Sequence, residues 1–184
     1  GIDLPIFWGN RNWDPLLPDT LQEMKEAGVK QALAFVTASY SSWSSCRQYR
    51  ENIADAQEAV GEGAPEVDKI RAFYNHPDFV AANAELVQKS LDQIPVERRN
   101  KTRIAFTAHS IPNSMSDNCD YVQQLTECCR LVAEALGVSP DHWRLVYQSR
   151  SGRPQDPWLE PDICDHLLTL KESGAEDVVV VPIG

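Results

Sequence analysis

Only five of the 184 residues are cysteine, and no two of them stand as Cys-x-x-Cys. An odd, scattered set of thiols speaks against a disulfide framework and a zinc ribbon, so reduced side chains are expected. Basic residues are also short. Against 27 Asp and Glu there are 17 Lys and Arg, giving a formal net charge of −10, which disfavours a nucleic-acid backbone as partner. No run approaches the roughly 18 apolar residues of a transmembrane segment, and the start GIDLPIFWGN carries no basic leader. The expectation is a soluble, cytoplasmic protein. Neither G-x-G-x-x-G nor G-x-x-x-x-G-K-[ST] occurs, so the glycine loops that cradle nucleotide phosphates are missing.

What is present is an alternation of short apolar runs with amphipathic segments. The runs at 4–8, 31–36, 102–108, 144–148 and 177–183 read as strands, apolar on both faces. That is the pattern of parallel strands covered by helices on either side. Helices are expected at 19–27, 44–60, 77–92, 119–136 and 161–173, three of them closed by Gly28, Gly137 and Gly174. Residues 61–76 hold turn formers and a weak extended run, which places a crossover between two domains near there. Along the expected helix 119–136, Cys128 shares a stripe with Tyr121, Leu125, Val132 and Leu136 and is expected in a core, with Cys129 on another face. The last strand ends at Gly184 with nothing to cover it, and the first run reads as an interior strand. Both suggest a segment of a longer protein.

In open parallel sheets ligands bind outside the carboxyl ends of the strands. The loops after the expected strands hold His109, Arg11, Arg150, Arg153, Trp13, Tyr40, Trp43 and Trp158. Flat aromatic faces, guanidinium groups and one histidine suit a planar, largely apolar ligand with carboxylates at its rim. Plainer roles stand beside these. Loop tryptophans also cover core edges, Arg150 and Arg153 could sit in solvent or cap the helix near Pro161, and Tyr49 lies on a packing stripe with Cys46, Ile53, Ala56 and Val60. His76, His142 and His166 have no partners at metal-ligand spacing and read as surface groups. His109 differs, because it ends a buried strand at the ligand end of the sheet.

The stretches FTAHSIP (106–112) and YQSRSGRPQDPWLEPD (147–162), with WGNRNWDP (8–15) and the terminal VVVVPIG, closely resemble the ferrochelatases. The resemblance covers essentially the whole chain. It implies two doubly wound parallel-sheet α/β domains of the Rossmann-like chelatase type, both incomplete here, with 1–70 the C-terminal part of the first and 71–184 most of the second. It implies a porphyrin substrate, coproporphyrin III or protoporphyrin IX, and Fe²⁺ as substrate metal. By the same resemblance His109 is the active-site histidine, accepting pyrrole protons or ligating iron; Arg11, Asn12 and Tyr49 are pocket residues; and Trp158 stands at the pocket lip. SSCRQYRENI (44–53) is most similar to the actinobacterial type, some of which carry a [2Fe-2S] cluster, making Cys46 a candidate cluster ligand. Family members continue past VPIG into a segment with a second histidine and a glutamate opposing the active-site histidine, and they begin before Gly1 with a first strand and a porphyrin-gripping loop. Two alternatives remain: a non-catalytic tetrapyrrole-binding protein, and a related chelatase for another metal.

Overall fold

The computed structural model describes residues 3–184; Gly1 and Ile2, with which the expected first domain begins, lie outside the described residues. The protein is α/β with parallel strands, and it divides into two compact units. One takes in the chain up to Ala38 together with Trp43–Ala72; the other takes in Ser39–Ser42 and Phe73–Gly184.

The first unit is a small βαβ element. Helix α1 (Leu17–Glu26) leads into β1 (Gln31–Ala34), then a π-helical turn (Trp43–Arg47) runs into α2 (Gln48–Val60), and β2 (Glu66–Lys69) returns parallel to β1. The stripe expected along α2 is real. Ile53 and Ala56 are buried with Leu21 of α1, and α1 packs on α2. The run 4–8 is not a strand. Pro5 removes a ladder donor within it, the bridge nearest to it among the described residues joins Asn10 to Leu16, and Leu4, Ile6 and Trp8 face solvent. β1 also departs from the expected burial on both faces, since Leu33 and Phe35 are exposed.

The second unit is built on a three-stranded parallel sheet in the order β4-β3-β5, with β3 (Arg103–His109) central between β4 (Trp143–Gln148) and β5 (Val178–Pro182). Residues 104–108 of β3 are almost wholly buried. Ile104, Phe106 and Ala108 join the core formed with helices α3 (Pro77–Leu91) and α6 (Tyr121–Ala135). Short helices α4 (Val96–Arg99) and α5 (Asn113–Ser116) precede and follow β3, and α7 (Ile163–Glu172) packs on β4. Cys128 is buried as expected, but Cys129 is equally buried. Helix α6 contacts both α3 and β4, so two neighbouring positions face apolar surroundings, and burial pushes both thiols up in pKa.

Two histidines depart from a plain surface role. His76 caps α3, its Nδ1 accepting the Asp78 N–H at 3.3 Å. His166 is buried, on the α7 stripe that includes Ile163 and Leu170, and desolvation lowers its pKa below 6.5. Helix α7 is capped by Asp162 accepting from the Cys164 N–H, not by an arginine.

Candidate functional site

The β3 strand delivers His109 to the carboxyl end of the sheet, where the strands on its two sides were entered by connections running in opposite directions. Its residues from Ile104 through Ala108 are buried and, apart from Thr107, apolar, and then the pattern stops. His109 is exposed while Ala108 before it and Ser110 after it are fully buried. The backbone around it is held firmly. The His109 N–H donates to the Gly184 carbonyl at 3.1 Å, and the Ser110 N–H donates to the Gln148 carbonyl at 2.8 Å. A Cβ on Gly184 would lie 2.8 Å from the Leu125 side chain and 3.1 Å from the Tyr40 ring, so a larger residue there would have to push those side chains aside.

The two motif stretches around His109 are one structural piece. Beyond the strand, Ile111 accepts the Leu159 N–H at 3.0 Å, the Asn113 N–H donates to Pro157 at 3.0 Å, and Pro112 bridges antiparallel to Trp158. The buried Ser110 hydroxyl donates to the Leu159 carbonyl at 2.9 Å. Trp158 thus enters a seam that starts one residue after His109, and its half-buried indole packs over Gly152, where a Cβ would come within 3.3 Å and φ is +85°. Ser110→Ala leaves that carbonyl without its partner and is expected to cost about 1–3 kcal/mol. Urea unfolding followed by tryptophan fluorescence measures it.

The loop 149–157 folds on itself. One Arg150 nitrogen donates to the carbonyls of Pro154 and Asp156, both at 2.8 Å, so Arg150 neither caps α7 nor stands unengaged. The groove of about 570 Å³ beside this seam is lined by Arg144, Arg150, Glu160, Asp162 and Asp165 among others. Charges of both signs on its walls suit a flat apolar ring poorly.

In the first unit, the loop carrying Arg11 is closed by the Asn10 N–H to Pro15 at 2.8 Å and the Leu17 N–H to Asn10 at 3.0 Å. Gly9 sits against Thr20, whose hydroxyl donates to the Trp8 carbonyl at 2.9 Å; a Cβ there would be 2.8 Å from that oxygen. The Arg11 guanidinium lies over the Tyr49 ring, 4.7 Å from its centroid, and donates to the Ser44 carbonyl of the π-helical turn at 3.2 Å. Two expected pocket residues, 38 positions apart, are therefore in contact. Asn12 and Trp13 are exposed at the loop tip, which removes the core-covering role for Trp13. Trp43 is instead stacked under Arg47, 4.2 Å from the ring centroid.

Cys46 is half-buried in the same π-helical turn. Among the described residues no group of three or more His, Cys, Asp or Glu could hold a metal ion. The described residues therefore do not themselves compose an iron–sulfur site. No helix of the described residues is long and apolar enough to cross a membrane.

Sequence reasoning missed the contacts that hold His109, namely Tyr121, Gly184 and the Ser110 seam. It also missed Gln124, which is buried and makes two hydrogen bonds to Ser41. The family model for ferrochelatase matches residues 1–184. A ferrochelatase of Rhodopirellula baltica is 55% identical over 185 residues, taking in all of this chain and 52% of that protein. Coproporphyrin III ferrochelatases of Streptomyces coelicolor and Nocardia farcinica are 48% and 45% identical, again over all of this chain and 53% and 54% of theirs. The chain spans about half the length of the curated relatives it matches.

Proposed function

The chain belongs to the ferrochelatase family, and from that premise we propose that the whole protein inserts ferrous iron into a porphyrin for haem synthesis, with His109 as the reactive group. On this reading residues 1–70 and 71–184 are portions of the family's two α/β domains, a division that falls close to that of the two compact units except for Ser39–Ser42, which pack with the second. The observation that carries the role of His109 is the exposed imidazole on a strand end whose backbone is fixed on both sides.

Metallation removes two pyrrole N–H protons from a rigid ring while Fe²⁺ is delivered, and both tasks call for a lone pair near the ring centre. A neutral imidazole supplies one, either as a proton acceptor or as a ligand for Fe²⁺. Pocket walls shaped to a bent ring would favour the transition state over the flat substrate. Arg11, Asn12 and Tyr49 are proposed to line the substrate pocket, with Trp158 at its lip. The cation–π and carbonyl contacts of Arg11 suit it to shaping the wall around Tyr49. Cys46 keeps a candidate place as one ligand of a [2Fe-2S] cluster in the whole protein. Relatives named for coproporphyrin III make that porphyrin the first substrate to try.

The test is anaerobic absorbance of the whole protein with Fe²⁺ and either coproporphyrin III or protoporphyrin IX. Metallation of one porphyrin, faster with coproporphyrin III, is the expected result. Tight porphyrin binding without metallation would replace this reading with a tetrapyrrole carrier, and preference for cobalt or for another tetrapyrrole would indicate a different chelatase.

A further inference from the structure

We propose that Tyr121 is a positioning residue for His109, its phenol holding the His109 carbonyl and so setting the direction in which the imidazole leaves the end of β3. This rests on the reading of His109 as the reactive group.

A side chain leaves the backbone along a direction fixed by the two peptide planes that meet at its Cα. The plane before His109 is tethered through its own N–H to the Gly184 carbonyl at 3.1 Å. The plane after it is tethered twice. The Ser110 N–H donates to Gln148 at 2.8 Å, and on the opposite edge of the same plane the His109 carbonyl accepts the Tyr121 hydroxyl at 3.1 Å. Of these three tethers, two are backbone pairs that a sheet supplies for any residue. The third comes from a side chain and depends on tyrosine at that position.

Tyr121 is itself well anchored. It opens α6, is 7% exposed, and meets the Tyr40 ring edge-on at 6.2 Å; Tyr40 in turn stacks on Tyr74 at 6.5 Å. A phenol buried in the core and held edge-on against Tyr40 pins the carbonyl it touches, which a mobile surface hydroxyl would not do. Burial lifts its pKa to about 12, so the hydroxyl keeps the proton it donates throughout the range in which iron insertion is assayed. Nothing in the sequence marks this role, since the apolar stripe of α6 accounts for an aromatic at 121 without its oxygen.

The test is Tyr121→Phe in the whole protein, which keeps the ring and removes only the donor. Turnover is expected to fall about 3- to 10-fold, the scale of one lost hydrogen bond, with KM for porphyrin within about twofold of wild type because the ring contacts are untouched. In a His109→Ala background the same substitution should have no further effect on residual insertion. The His109 ring resonances should shift or broaden in ¹⁵N-histidine spectra of the Tyr121→Phe protein. Wild-type turnover with unchanged ring resonances overturns the proposal, as does a loss that multiplies independently with His109→Ala. If His109→Ala alone turns over like wild type, the role of His109 falls, a result separable from failure of the tether.

Discussion

Replacing His109 with alanine in the whole protein is expected to lower iron insertion by about 100- to 10,000-fold, the range lost when a positioned proton acceptor is removed. Porphyrin affinity should change by less than about threefold, because ring burial and rim charge, not one imidazole, carry the binding of a large planar ligand. Stability should also change little, within about 0.5 kcal/mol, because the His109 side chain is exposed and its neighbours in the strand are held by the backbone. Anaerobic absorbance time courses give the rate, fluorescence quenching gives the affinity, and thermal unfolding gives the stability. The other histidines supply the contrast. His142→Ala, in the 3₁₀ turn Pro140–His142, should leave insertion unchanged, since this turn leads into the opposite end of β4. Near-wild-type turnover by His109→Ala would remove the assignment, whatever the affinity.

How much of this was legible in the chain depends on the range over which each signal acts. β3 and β4 are predominantly apolar runs, and their positions follow from composition over six or seven residues. β2 is not legible in that way, since Glu66, Val67, Asp68 and Lys69 alternate too weakly and become a strand only by pairing with β1. LPIFW fails for the converse reason: apolar residues without a partner strand do not make a ladder. The π-helical turn at Trp43–Arg47 differs from an α-helix by a shift in period that five residues are too few to display. His166 was legible in principle, for it lies on the apolar spacing of Ile163, Leu167 and Leu170.

The same distinction separates the site residues. His109 was found because strand, stop and motif are all local. Its supports are not local, as the partner of the adjacent Ser110 is 49 residues away; within the first unit, Arg11 likewise meets a partner distant in sequence, Tyr49. A pair of motifs in one chain says that two stretches matter. Only the folded chain shows that HSIP and PWLE are two sides of one seam.

That seam and the histidine both hang on the packing of β3, and this leads to the largest expected effect on stability. Phe106 stands three residues before His109, is 0% exposed, and meets Trp143 edge-to-face at 5.7 Å and 76°. Phe106→Ala should destabilise the second unit by about 3–5 kcal/mol, the transfer term of the lost ring plus the cavity it leaves between the sheet and helices α3 and α6. Phe106→Leu should cost less than about 2 kcal/mol, because most of the volume and all of the apolarity remain. Urea unfolding by far-UV circular dichroism measures both. If His109 acts chemically and Phe106 only through the fold, the two variants separate cleanly. Phe106→Leu should keep nearly full turnover at temperatures well below its transition, whereas His109→Ala should be inactive at every temperature where it is folded. A Phe106→Leu protein that is stable yet inactive would mean that small displacements of β3 reach the imidazole, and the tethers at Gly184, Gln148 and Tyr121 would then be too weak to hold it.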